Sequence, residues 1–223
     1  VKQILITRPE PGASATAAKL KSLGHTPILA PCLTITPRTP KLPAAPDAII
    51  VTSLQAIPAL AGLDKSLPVF CVGDATAARL RKAGFTTVHS ANGDAQALFK
   101  LITAHALPGT HLLASGEGNG RQLGRQLSDA GIAIARRAVY AATPATFLPP
   151  DATAALSAAT LHAALFYSAE TARAFSNLAP HGTATIPALA LSQAVADALQ
   201  ALPWSEIRVA LAPTEADLLA LLT

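Results

Sequence analysis

Apolar residues follow two alternating rhythms along this chain. Short unbroken runs, such as "AIIV" at Ala48–Val51 and "AALF" at Ala163–Phe166, give way to stretches in which apolar positions recur every three or four residues. The runs are too short for helices and are bounded by Gly, Pro, Ser or Asp, so they predict buried strands; the second rhythm predicts amphipathic helices. Strands are predicted at Lys2–Thr7, Pro27–Ile35, Ala48–Thr52, Pro68–Val72, Thr86–His89, Thr110–Ala114, Ile132–Tyr140, Leu161–Tyr167, Ala188–Leu191 and Arg208–Leu211. Helices are predicted at Ser14–Leu23, Leu54–Leu60, Ala75–Lys82, Ala95–Ala104, Gly120–Ala130, Ala169–Asn177, Ala194–Leu202 and Glu215–Leu222. Strands alternating with helices of about ten residues predict an α/β fold, with parallel sheets flanked by helices.

The rhythm repeats. With Ile4 set on His111, Ile4–Pro37 falls on His111–Pro144 without a gap: Leu20 meets Leu127, Gly24 meets Gly131, and Thr36-Pro37 meets Thr143-Pro144. Small changes of offset bring Ser53 onto Ser168, Gly73 onto Ser192, and Asp94–Ile102 onto Glu215–Thr223. Alanine-rich helices match one another by chance, but the shared order of elements favours duplication of one α/β unit. Each copy has a proline-rich stretch after its second strand, with Pro31, Pro37, Pro40, Pro43 and Pro46 in the first and Pro144, Pro149 and Pro150 in the second. Proline withholds a backbone donor and avoids sheet interiors, so these stretches are the linker candidates.

Composition narrows the function classes. The chain has 223 residues, 51% hydrophobic but only 4% aromatic, which suits aliphatic strands packed by Ala- and Leu-rich helices. The uncharged run Ala152–Ala169 raises a membrane reading, but it holds Ser157, Thr160, His162, Tyr167 and Ser168 and divides into a helix and a strand. No membrane association is expected, and no stretch near Val1 has the makeup of a secretory signal. Cys32 and Cys71 each sit in an apolar run and could be buried thiols or one disulfide; a chain of this size without secretory features favours buried thiols in a reducing, cytoplasmic setting. With 17 Lys and Arg against 13 Asp and Glu the net charge is +4, and the basic residues are scattered. That disfavours nucleic acid and suits a small anionic ligand. No Cys/His spacing points to a metal. The six histidines fall mostly in predicted loops or beside helix ends, and most are expected to be solvated.

Ligands of open parallel sheets bind beyond the carboxyl ends of the strands, where the next helix offers unpaired amides. Those positions hold Thr7-Arg8, Thr52-Ser53, Gly73-Asp74, Ser115-Gly116, Ser168 and Ser192. Small and hydroxyl residues there are ordinary helix caps, and they also let an anion approach the backbone. "SGEGNGR" at Ser115–Arg121 follows a strand, but it is GxGxG, and the next strand carries Arg136-Arg137 where a dinucleotide fold needs an acid. A turn whose amides and Arg121 hold a carboxylate fits it better. The serines have no GxSxG setting, and paired carboxylates are absent. Tyr140 ends the strand that runs into the second linker. It is either packing or a phenol able to protonate a leaving oxygen. Tyr167, inside a predicted strand, reads as core.

Taken in order, "ITRP" (Ile6–Pro9) with Gly12 beyond it, "VTS" (Val51–Ser53), "VGDATAARL" (Val72–Leu80), "RRAVY" (Arg136–Tyr140) before a Thr-Pro linker, "FYSAETARAF" (Phe166–Phe175) and "APTEADLLALL" (Ala212–Leu222) resemble the uroporphyrinogen-III synthase family. The resemblance spans essentially the whole chain and rests on order and spacing. It implies two similar α/β domains joined by a two-stranded linker, with residues 1–35 plus 145–223 forming a discontinuous first domain, 36–144 the second, and linker strands near 33–46 and 138–150. It further implies hinge motion between the domains and a cofactor-free lyase. That enzyme closes hydroxymethylbilane, a linear tetrapyrrole rich in carboxylates, with loss of water and inversion of ring D to give uroporphyrinogen III for heme, siroheme or cobalamin. Tyr140 matches the tyrosine assigned to hydroxyl departure, and Thr52, Ser53, Thr76 and Ser168 match hydroxyl positions lining the cleft. Gly73, Ser115, Gly116 and Ser192 would offer backbone donors, and Arg8 and Arg121 would be carboxylate partners or structural. Val195 departs from the pattern, standing where some members carry a cleft threonine, which favours holding the substrate by backbone amides. A monomer is expected, and transient contact with hydroxymethylbilane synthase is left open. The alternative is a two-lobed protein that binds a small anion without chemistry.

Overall fold

The computed structural model describes residues 1–105 and 107–223. Contacts divide the chain into two compact units, Val1–Thr34 with Thr143–Thr223 (unit 1) and Ile35–Ala142 (unit 2). In chain order the elements are β1 (Gln3–Ile6), α1 (Gly12–Ser22), β2 (Thr26–Leu29), β3 (Leu33–Pro37), β4 (Ala48–Val51), a 3-10 helix (Leu54–Leu60), β5 (Val69–Cys71), α2 (Asp74–Lys82), β6 (Val88–Ser90), α3 (Ala95–His105), β7 (Thr110–Gly116) and α4 (Arg121–Asp129). They continue with β8 (Ala133–Pro144), α5 (Pro150–Ser157), β9 (Leu161–Phe166), α6 (Ala169–Asn177), a 3-10 turn (Thr183–Thr185), β10 (Pro187–Ala190), α7 (Gln193–Leu199), β11 (Glu206–Val209) and α8 (Glu215–Ala220).

Unit 1 holds a five-stranded sheet in the order β11-β10-β9-β1-β2, with all four neighbouring pairs parallel. Its strands alternate between two cores. Leu5, Ala164, Phe166, Ala188 and Ala190 face α5, α6 and α7 through Ala152, Leu156, Phe175 and Leu199. Ile4, Ile6, Ala163, Leu165 and Leu189 face α1 and α8 through Ala13, Leu20 and Leu218. Unit 2 repeats the design. Its sheet runs β3-β8-β7-β4-β5-β6, parallel from β8 to β6. Ile49, Val51, Val69, Cys71, Leu112 and Ala114 pack on one side with Leu60 and Leu80, while Ala48, Ile50, Phe70 and Leu113 pack on the other with Leu98, Ile102, Leu123 and Leu127. Both faces of each sheet are covered at its centre, which is why central strands such as β4 and β10 read as unbroken apolar runs.

The two sheets share one order: β1 and β2 of unit 1 stand where β7 and β8 stand in unit 2, and β9, β10 and β11 where β4, β5 and β6 stand. The equivalence reaches backbone angles, since Ser53 has φ −155 and ψ 146 and Ser168 has φ −153 and ψ 150.

Several elements differ from expectation. Pro27–Ile35 is two strands, β2 and β3, separated at Ala30–Cys32. The segment at Leu54–Leu60 winds as a 3-10 helix with Pro58 inside it, where the missing amide disfavours α-helical bonding. β8 is 12 residues long because it continues beside β3, and its register to β7 shifts between Ser115 and Gly116. Ala152–Ala169 is divided among α5, β9 and the start of α6, and among the described residues no helix is long and apolar enough to cross a membrane. Cys32 and Cys71 are buried free thiols, pushed up by burial to about 12 and about 11. His111 is the exception to the histidine expectation, lying in β7 and 1% exposed; His89, in β6, is half-buried, stacked on Phe70 at 5.0 Å and 4.5 Å from His105. The sheet turns the His111 side chain inward.

Candidate functional site

In unit 2 the chain steps from β4 to β5 and β6 toward one edge and from β7 to β8 toward the other, so β4 and β7 flank a topological switch point. Ligands of such sheets enter at that place, beyond the carboxyl ends. Thr52 and Ser53 follow β4 there. Ser53 caps the 3-10 helix, its Oγ accepting from the Gln55 amide at 3.3 Å. Gly73 follows β5 and caps α2 without a side-chain hydrogen bond, and Thr76 in the first turn of α2 is 8% exposed. The first amides of α2 are therefore left to an outside acceptor. Gly120 caps α4 in the left-handed region (φ 73), again without a side-chain bond.

The loop from β7 to α4 is tied down. Ser115 is fully buried and its Oγ donates to the Asn119 carbonyl at 3.0 Å. Arg136 on β8 donates from Nε to the same carbonyl at 2.9 Å and from Nη2 to the Gly116 carbonyl at 3.4 Å. The Glu117 amide donates to the Tyr140 carbonyl at 2.8 Å. Tyr140 lies opposite Gly116 in the β7–β8 ladder, 4% exposed and within the core that includes Val139. Arg121 opens α4 and, with Arg125 and Arg136, lines a groove of about 310 Å³.

Unit 1 has its own switch point between β1 and β9. Here the strand ends are bound to one another. Thr7 is fully buried and its hydroxyl donates across to the Leu165 carbonyl at 2.7 Å. Arg8 sits 4.0 Å over the Tyr167 ring and donates to Thr16 and to Glu215, both at 3.2 Å. Tyr167 and Thr16 also donate to Glu215, at 3.0 and 2.7 Å, and Lys19 pairs with its other oxygen. Gly12 makes this possible, because a Cβ there would stand 2.4 Å from Arg8 Nε. Burial works to raise Glu215, but hydrogen bonds from Lys19, Thr16 and Tyr167 outweigh it and hold the carboxyl below its ordinary value. Burial pushes the Tyr167 phenol well up. Ser168 caps α6, accepting from the Thr171 amide at 3.1 Å, and Ser192 caps α7 without a side-chain bond. Val195, in the first turn of α7 as Thr76 is in that of α2, is 3% exposed.

With this geometry in view, the family model described as uroporphyrinogen-III synthase HemD matches residues 14–220. The chain belongs to this family. Uroporphyrinogen-III synthases are cyclising lyases of tetrapyrrole biosynthesis. The uroporphyrinogen-III synthetase of Helicobacter pylori has the same fold, with 16% identity and a TM-score of 0.67 over 99% of this chain and 98% of that one. A mutant uroporphyrinogen III synthase of Thermus thermophilus shares 20% identity with a TM-score of 0.56 over 93% and 92% of the two chains. No curated protein sequence matches significantly.

Within the synthase fold the predicted residues fall into two groups. Thr52, Ser53, Gly73, Thr76, Ser115, Gly116, Arg121 and Tyr140 are in unit 2, on β4, β5, β7 and β8 or just beyond, and Arg8, Ser168 and Ser192 are in unit 1. Sequence reasoning missed the carboxylate that engages Arg8. Glu215 lies in the quoted "APTEADLLALL", but nothing local links it to an arginine so distant in the chain. Arg136 reads from the sequence as a strand residue that argues against a dinucleotide site; its position beside a glycine loop is the available sign of its backbone bonds.

Proposed function

We propose that this protein converts hydroxymethylbilane into uroporphyrinogen III, closing the macrocycle with loss of water and inversion of ring D. The observation that carries the reading is the family match, which spans both units. The geometry supports it through unit 2, where the amides opening α2 and α4 lack side-chain caps beside the β4–β7 switch point. Helix N-termini favour carboxylates through both their donors and their dipoles, and the substrate carries carboxylates on every ring.

The chemistry needs a leaving hydroxyl and a held conformation. A proton from Tyr140 to the hydroxymethyl oxygen would release water and leave an electrophilic methylene on the first ring. Attack by the substituted carbon of ring D gives a spiro intermediate. The bond from that carbon to the methylene of the neighbouring ring then breaks, and the electrophilic methylene so formed bonds to the free α-carbon of ring D, whose proton is released, to give the inverted isomer. Closure without inversion follows readily once water has left, so the protein's task is to fix ring D while it reacts. That is catalysis by positioning, with amide donors at Thr52–Ser53, Gly73, Ser115–Gly116, Ser168 and Ser192 and with Thr76 and Arg121 alongside. Arg8 serves the fold through Glu215. A cofactor-free monomer acting in the cytoplasm belongs to the same reading.

The test is an isomer assay. Fresh hydroxymethylbilane incubated with the purified protein, followed by oxidation and chromatography of the porphyrins, should give the type III isomer. Type I product alone, as from spontaneous closure, defeats the reading and leaves a binding protein without chemistry.

A further inference from the structure

We propose that Gly116 and Arg136 are positioning residues that set where the Tyr140 phenol lies, an inference that rests on the reading of Tyr140 given above. Gly116 does so by absence. A Cβ built on it would stand 2.8 Å from Tyr140 Cζ, 2.9 Å from Cε2 and 3.0 Å from the phenol oxygen. These are the atoms at the reactive end of the ring, so the phenol rests against the β7 backbone and any side chain at 116 drives it away. The glycine is required for space here, and the register shift between Ser115 and Gly116 is what brings Tyr140 opposite it.

Arg136 fixes the other side of the same contact. Its guanidinium bridges the Gly116 and Asn119 carbonyls, closing the turn that the Ser115 hydroxyl also holds. The turn then donates the Glu117 amide back to the Tyr140 carbonyl. Strand β8 thus carries both the phenol and the clamp for the loop on which the phenol rests. Arg136 also lines the groove with Arg121 and Arg125, so a carboxylate arriving there would meet the side chain that holds this loop. Lysine can supply a charge to one carbonyl but not the fork that spans two.

The experiment compares Gly116→Ala, Arg136→Gln, Arg136→Lys and Tyr140→Phe in steady-state turnover of hydroxymethylbilane, and adds Gly116→Ala to Tyr140→Phe. A misplacement of about 1 Å is enough to lower kcat by roughly 10- to 100-fold. That fall is expected for Gly116→Ala, with KM within about threefold, and Arg136→Lys should recover part of what Arg136→Gln loses. Because the effect passes through the phenol, Gly116→Ala should cost about twofold or less once Tyr140 is already Phe. In a Tyr167→Phe background Tyr140 is the sole tyrosine, and Gly116→Ala should shift its near-ultraviolet tyrosinate titration whether or not the protein turns over. Wild-type kcat in Gly116→Ala, or losses that multiply in the double variant, overturns the proposal while leaving the synthase reading intact. An unimpaired Tyr140→Phe also overturns it, since no phenol would need placing. Absence of type III product from the wild type removes the functional reading itself, and an unshifted titration then removes the positioning claim as well.

Discussion

Glu215 shows how a residue without a local partner comes to organise a site. Its carboxylate takes bonds from Arg8, Thr16, Lys19 and Tyr167, which reach it from α1 and from the ends of β1 and β9. Glu215→Gln keeps the shape but leaves the Arg8 guanidinium partly buried without its counter-charge, and should cost about 1–3 kcal/mol of stability in urea unfolding at neutral pH. The held-down carboxyl also sets a sign. A folded-state value below the unfolded one contributes stability above about pH 4.5 that is lost as pH falls further, and Glu215→Gln should remove that segment of the pH profile. Tyr140 is the contrasting residue, since its test is read in turnover. Tyr140→Phe is expected to lower turnover by about 10- to 1000-fold if the phenol is the general acid, measured in steady-state assays with hydroxymethylbilane. An unchanged rate would leave Tyr140 as packing.

Elements were legible where their residues face two cores at once. The runs at β4 and β9 declare themselves because both faces are covered, and Ser168 before α6 declares itself because a cap is a local event. The ends of β7 and β8 were not legible, because they depend on a register shift and on pairing with β3, which local pattern does not encode. At the candidate site the same divide holds. Ser53 and Gly73 could be placed from neighbouring residues, whereas the Arg8–Glu215 pairing and the Arg136 clamp are contacts between distant segments. The histidines divide for a further reason: β7 turns His111 fully inward while His89 in β6 is half-buried, and which face of a strand the fold covers is not encoded locally. Burial pushes both below the ordinary histidine value, and for His89 the nearby His105 adds to it. The unfolded chain therefore takes up protons first. Stability should begin to fall as pH drops below about 6.5, ahead of the carboxylate window, and His89→Gln should reduce the slope of the unfolding midpoint between about pH 6.5 and 5.

At the scale of the molecule, the two units are built alike but threaded differently. Unit 2 is one continuous stretch, and its central β4–β7 pairing joins segments about sixty residues apart, Ala48 with His111. Unit 1 is assembled from both ends of the sequence, and its central β1–β9 pairing joins Gln3 to Leu161. Closing the longer loop costs more entropy and contact of higher order forms more slowly. Pulse-labelled hydrogen exchange during refolding should protect the amides of β4 and β5 before those of β1 and β9, and simultaneous protection would count against this order. The same threading has a consequence during synthesis. While the ribosome is still making unit 2, the nascent β1, with Ile4, Leu5 and Ile6 destined for full burial, has no neighbour on its β9 side. Until the last third emerges, that segment is an exposed sticky edge, the point at which a chaperone would gain most by binding and at which a stalled chain would first aggregate.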